Sequence, residues 1–255
     1  MKRLAADRAG RRAGVTLMEL LIAVTLVSLL SAGLLWAMRV GLHAMERTNG
    51  RMMQNRRQLG ARRVLEQQFA GLMPVLTDCK QSNGRPGGPR VLFFQGEPDT
   101  LRFVTSYSLE EASRGYPRIV EFGVIPGRYG IGVRLIVNEI VWAGPSVAAS
   151  LCMGMREVAN GVLPAFGPVE ARPSSFVLAD RLRECRFSYQ FRDVRTGARE
   201  WTPSWVFATL PLSIRIEMTP LEPDPSNPQM KTLALPVRVD LGPTEAYPDV
   251  DPPRQ

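Results

Sequence analysis

A chain of 255 residues with 32 Lys+Arg against 24 Asp+Glu carries a formal net charge of +8, and at 45% hydrophobic and 22% charged it has the composition of a folded protein. A single histidine, His43, all but excludes His-based catalysis and multi-His metal sites from the folded part. The positive charge is local: residues 1–14 contribute +4, residues 15–38 contribute −1, residues 39–66 contribute +5, and the rest is balanced, which argues against a general affinity for nucleic acid.

The first predicted element runs from Val15 to Met38, 24 residues with one charge, Glu19. As a helix it would extend ~36 Å, enough to cross a ~30 Å hydrocarbon core with some tilt. The basic flank 1–14 would stay cytoplasmic, and the chain beyond Arg39 would lie on the other side. A cleavable secretory signal has an apolar region of only ~7 to 15 residues, so an anchor fits the length better. Glu19 is the anomaly, because an acid at mid-membrane costs on the order of 2.5 to 3.5 kcal/mol, less near an interface. It calls for a cationic partner. A cut between Gly14 and Val15 would create one, the new amine of Val15, which a neighbouring subunit displaced by about one helical turn could present to Glu19.

Arg11-Arg12-Ala13-Gly14 followed by Val15-Thr16-Leu17-Met18-Glu19-Leu20-Leu21-Ile22-Ala23 resembles the class III signal of type IV pilins and type II secretion pseudopilins. Gly14, Thr16 and Glu19 match the pattern, and Val15 stands where Phe is usual. The resemblance implies that a prepilin peptidase cuts after Gly14 and methylates Val15, and that Glu19, the fifth residue of the mature chain, guides assembly.

The helical pattern continues beyond the apolar run. Met38, Met45, Met52 and Leu59 recur every seven residues, with Leu42 between them and Leu65, Phe69 and Leu72 extending the stripe, so a helix of ~87 Å is expected from about residue 15 to Leu72, ending near Pro74. Arg39, Arg47, Arg51, Arg56, Arg57, Arg62 and Arg63 occupy much of its other surface. With no aromatics interleaved for base stacking, this reads as a solvated or partner-facing helix side, and no nucleic acid is expected.

After Pro74 the pattern is of short strands and turns. A Gly/Pro loop at 81–90 precedes strands at Val91–Gln95 and Leu101–Tyr107, and two more come at Ile119–Ile125 and Val133–Ile140. Residues 143–175 are rich in Gly, Pro and Ser and show no clear element beyond a short strand near Leu151. Phe187, Tyr189 and Phe191 then alternate with Arg186, Ser188, Gln190 and Arg192, placing one aromatic face on a core. A turn at Arg195-Thr196-Gly197 leads to Trp201 and Trp205. Leu212, Ile214, Ile216 and Met218 form another half-buried strand, and Thr232–Leu241 a last one. The Pro- and acid-rich stretch 242–255 is expected to be a disordered tail.

The expected fold class is therefore α+β: a long N-terminal transmembrane helix, then an antiparallel sheet domain. The expected organisation is a leader at 1–14, a membrane or filament helix at 15–38, its amphipathic continuation at 39–73, a globular domain at 74–241 and the tail. Beyond the N-terminal motif, the order RFVT, FSYQF, tryptophans after a Gly turn, LPLSIRIEM and LALPVRV is similar to that of J-type minor pseudopilins. That resemblance implies the pilin-like fold, a place in the inner membrane with the domain in the periplasm, and a pseudopilus tip complex with I- and K-type minor pseudopilins and the major pseudopilin. It also implies contact with secreted substrate. A W-type minor pilin of type IV pili, initiating a pilus or serving DNA uptake, is the alternative.

Chemistry-bearing residues are few. Cys79, Cys152 and Cys185 allow one disulfide, with three pairings open from sequence, and a free thiol. Glu222, Asp224, Ser226 and Asn227 place oxygens at alternate positions, but prolines at 223, 225 and 228 favour a turn over a calcium loop, so no metal is expected. No Walker loop, dinucleotide fingerprint or G-x-S-x-G is present, so neither a cofactor nor enzyme activity is expected.

Overall fold

The computed structural model describes residues 16–80, 87–158, 161–222 and 232–239; the expected leader 1–14, Val15 and the expected tail 242–255 lie outside these. Among the described residues, helix α1, Leu17–Ala70, is followed by thirteen strands and one short α-helix. In order these are β1 Leu72–Met73, β2 Leu76–Asp78, β3 Arg90–Leu92, β4 Phe94–Gly96, β5 Thr100–Ser108, β6 Ser113–Pro126 and β7 Val133–Val141, then α2 Pro145–Leu151, β8 Cys152–Val158, β9 Gly161–Phe166, β10 Phe176–Arg192, β11 Arg199–Thr202, β12 Ser213–Pro220 and β13 Thr232–Pro236. A long apolar helix followed by an antiparallel sheet domain is the α+β, pilin-like architecture expected from the sequence.

The chain divides into two compact units, one up to Gln54 and one from Asn55. In the first, every described side chain from Leu17 to Met45 is exposed. Met52 of the heptad stripe, also in the first unit, is exposed too; in the second, the last turns of α1 become part of the domain core, with Ala61, Leu65 and Phe69 buried and Leu59 of the stripe exposed. The helix ends at Ala70, short of the expected Leu72. Gly71 lies so close to β5 that a Cβ there would come within 2.7 Å of Thr105 Oγ1, and Leu72–Met73 pair with Thr105 and Val104 as an edge strand.

The main sheet has the order β1-β5-β6-β7-β10-β12-β13, with β4 added to β5 and β11 to β10, and all its pairings are antiparallel. Because side chains alternate across a strand, each strand feeds two layers. On one face, Phe103, Phe122, Leu135, Phe187, Tyr189, Ile214 and Ile216 pack with Leu65 and Phe69 of α1. Phe69 stacks against Phe122 at 6.0 Å and tilts onto Phe103 at 5.4 Å. On the other face, Val104, Ile119 and Trp142 pack with Val75, Phe93 and Ala148 of α2.

Residues 143–175, expected to be mostly irregular, hold α2 and the β8–β9 hairpin. Strand β10 is also longer than its alternation indicates. It begins at Phe176, pairs first with β7 and then with β12, and bends between them through register shifts and a positive φ of 56° at Arg181. The expected last strand stops at Pro236.

Candidate functional site

The site the sequence points to is the start of α1. Thr16 precedes the helix, and the backbone N–H of Glu19 donates to both Thr16 O (3.1 Å) and Thr16 Oγ1 (3.3 Å). Thr16 thus acts as an N-cap, satisfying one of the donors that a helix start leaves open. Thr16-Leu17-Met18-Glu19 has the T-x-x-E spacing of a capping box, a local signal of the helix start that stands beside the leader motif. Glu19 is the only acid in the first turn, where a negative charge also suits the helix dipole.

From Leu17 to Met45 the helix is long and apolar enough to cross a membrane, 29 residues and ~44 Å. Two of its hydroxyls close on the helix itself: Thr25 Oγ1 donates to Ile22 O at 2.9 Å and Ser28 Oγ to Val24 O at 2.7 Å. That is the arrangement polar side chains need in a solvent that offers no hydrogen bonds. Arg39 and His43 lie in the distal part of this stretch, beyond the uncharged residues 20–38. Gly14 and Val15, the expected cleavage junction, lie outside the described residues.

The cysteines fall far from the helix start. Cys79 and Cys152 form a disulfide with a Cα–Cα distance of 5.0 Å, tying the end of β2 to the start of β8. Cys185 is a free thiol buried in β10, and burial pushes its pKa up to about 12. In the loop considered for calcium, Glu222 is exposed and takes a 2.9 Å ion pair from Arg181, while Asp224, Ser226 and Asn227 lie outside the described residues. Among the described residues no three His, Cys, Asp or Glu side chains gather as metal ligands would.

A buried polar layer in the domain escapes a reading of the sequence alone. Arg102 and Glu121, directly opposite each other on β5 and β6, are both 2% exposed and joined at 2.7 Å. Arg102 also donates to Gln95 Oε1 and to Gly167 O, and Arg172 reaches Glu121 at 3.4 Å. Burial lowers the Arg102 pKa from its ordinary value, while Glu121 opposes the shift. Asn138 Nδ2 donates to Glu170 O at 2.9 Å, so the polar row straps residues 167–175 onto the sheet. The signal is an Arg and a Glu that the pairing of β5 with β6 sets opposite each other, readable only once the hairpin register is known.

Residues 10–35 match the family model of the prokaryotic N-terminal methylation motif. A comparison of the chain with curated proteins gives no match. The matched residues include Gly14 and Val15, where the cut is expected, Thr16, Glu19 and much of the apolar span. This motif, set on a single long apolar helix that a sheet domain follows, supports a type IV pilin-like protein.

Proposed function

We propose that the protein is a minor pseudopilin of a type II secretion system, of the J type, and that it helps initiate the pseudopilus as part of a tip complex. The observation that supports a pilin-like protein is the methylation motif over residues 10–35, a stretch that contains Gly14, Val15 and Glu19; the J type rests on the resemblance in the order of the later segments. A prepilin peptidase removes residues 1–14 and methylates the amine of Val15. The mature chain waits in the inner membrane as a single-pass protein with its domain in the periplasm, an oxidising compartment in which the Cys79–Cys152 disulfide persists.

Assembly then proceeds by charge neutralisation and helix packing. The carboxylate of Glu19, costly to hold in hydrocarbon alone, pairs with the Val15 amine of a neighbour shifted by about one turn, ~5.4 Å. The exposed apolar surface from Leu17 to Met45 exchanges lipid for partner helices of the major pseudopilin and the I- and K-type minor pseudopilins. Secreted substrate meets the sheet domain.

Coexpression with a prepilin peptidase, followed by intact-mass measurement and purification of native partners, tests the reading. Loss of the first 14 residues and recovery of I- and K-type partners support it. An uncut N-terminus or a cut elsewhere overturns the leader assignment, and recovery of pilus components places the protein among W-type minor pilins.

A further inference from the structure

The half of the sheet formed by β11, β10, β12 and β13 has one face in the main core and the other turned to solvent. Register fixes which side chains share the outer face. Arg192 stands opposite Arg199, Gln190 opposite Trp201, Ser188 opposite Arg215, and Arg186 opposite Glu217. Two of the four arginines are neutralised there: Arg186 pairs with Glu184, and Arg215 lies 3.7 Å over the Trp201 ring and 3.3 Å from Glu217.

Arg192 and Arg199 differ. Both are exposed, they face each other as a like-charged cross-strand pair, and among the described residues no acid bridges to either. Like charges directly opposite in a sheet are destabilising. Of the two carboxylates adjacent in sequence, Asp193 is committed to the adjoining turn, accepting from the backbone N–H groups of Arg195 and Thr196 at 2.8 Å each, and Glu200 stands opposite Phe191, on the other face of the sheet. Arg195 and Arg238, also exposed, add positive charge at the same end of the sheet.

The chain that continues past Val239 carries the complementary charge. Residues 240–255 hold Asp240, Glu245, Asp249 and Asp251 against Arg254 alone. The segment also leaves from the right end. Strand β13 pairs Pro236 with Ser213, the N–H of Val237 donates to Leu212 O, and the N–H of Leu212 in turn donates to Gln190 O, two residues before Arg192. From β13 to β10 is two strand spacings, ~9.6 Å, which three or four extended residues at ~3.3 Å each can cross. Tethering raises the effective concentration of these acids to the order of mM, enough for weak charge contacts to be populated.

We infer that the acidic segment 240–255 docks on the outer face of this half-sheet and neutralises the Arg192–Arg199 pair. The contact needs no packed core of its own, so the Pro-rich composition of the segment does not oppose it. It goes beyond the assembly role of α1.

The test is arginine modification by phenylglyoxal on the full chain in detergent micelles, read residue by residue by mass spectrometry. Three proteins are compared: the natural chain, one stopped after Val239, and one with Asp240→Asn, Glu245→Gln, Asp249→Asn and Asp251→Asn, which keeps the full length. Arg192 and Arg199 should react several-fold faster in both variants than in the natural chain, with exposed Arg128 unchanged as the internal reference. The difference should vanish in ~1 M salt, where the Debye length is ~3 Å. Equal rates in all three proteins overturn the proposal. Protection that grows with protein concentration also overturns it, since the acids would then come from a second copy.

Discussion

Arg102 on β5 and Glu121 on β6 sit directly opposite each other, 2.7 Å apart and each 2% exposed, between the sheet and the strap of residues 167–175. A pair this deep contributes less as an attraction than as a constraint, because removing one partner leaves the other charge buried and uncompensated. Glu121→Ala should therefore cost about 3–5 kcal/mol of domain stability. Arg102→Met combined with Glu121→Leu should recover most of that loss. Chemical denaturation of the single and double variants checks it, and a double variant as unstable as Glu121→Ala would refute the account.

The disulfide between Cys79 and Cys152 closes a stretch with a sequence separation of 73. By the loop-closure argument it stabilises the domain by about 4 kcal/mol. It also joins the end of β2 to the start of the β8–β9 hairpin, and an isolated two-stranded hairpin is marginal in water. Reduction should lower the thermal midpoint, with β8 and β9 losing amide protection before the main sheet. Uniform loss of protection across the domain would show that the bond does not specifically hold the hairpin.

Neither feature is readable from the sequence alone, because each joins residues that are apart in the chain. The apolar run was legible because helix and membrane signals are local, and the strands from Leu101 to Ile140 were legible because they are short runs divided by Gly- and Pro-containing turns. The β8–β9 hairpin was not, since it is held by Cys79, at a sequence separation of 73 from Cys152, rather than by its own periodicity. The first half of β10 was hidden for a related reason: register shifts at Val177, Ala179 and Leu182 move side chains between faces and erase the period of two. At the helix start, Glu19 stood out because the residues adjacent to it in the chain are apolar, whereas the Arg102–Glu121 pair depends on a register that no single strand encodes.

At the helix start, cap and charge can be separated. The cap is made by the Thr16 hydroxyl and the backbone N–H of Glu19, so Glu19→Ala removes the carboxylate and leaves that hydrogen bond in place. Thr16→Ala does the reverse, at about 1 kcal/mol of local helix stability. Both variants should still be shortened by a prepilin peptidase. Only Glu19→Ala should fail to enter filaments, and normal incorporation of that variant would refute charge pairing.

Alkaline pH should destabilise the domain through Cys185. Burial raises the thiol from its ordinary 9.0 to about 12, so in this interval the unfolded chain has lost a proton that the folded chain keeps. The folded state binds more protons there, and stability falls as pH rises, with the full contribution present below the unfolded value. Tyr189, buried and donating its hydroxyl to Glu97 O, is shifted in the same direction and acts at higher pH. Thermal midpoints between about pH 8 and 11, the range that brackets the unfolded thiol's titration, should decline less steeply in Cys185→Ala, even if that variant is less stable at neutral pH. An unchanged slope would remove Cys185 from the account.

Gly96 is the point where three aromatic side chains close on the backbone. A Cβ at this position would come within 2.8 Å of Trp205 Cβ, 2.9 Å of Tyr189 Cζ and 3.0 Å of Phe94 Cε1, and the Gly96 carbonyl accepts the Trp205 N–H at 2.8 Å. Trp205 cannot retreat easily, because its indole N–H is bonded to Thr209 O and its ring packs edge-on against Phe207 at 4.8 Å. Tyr189 is fixed by its bond to Glu97 O at 2.9 Å. Adding one methyl group should therefore overpack the site and cost about 1–3 kcal/mol. The cost should appear as displacement of the Trp205 loop, with a red shift in tryptophan emission that precedes global unfolding in denaturant. Emission unchanged in Gly96→Ala would mean that β4 moves instead, and exchange at the β4–β5 amides, where Gly96 pairs with Leu101, would then show the loss.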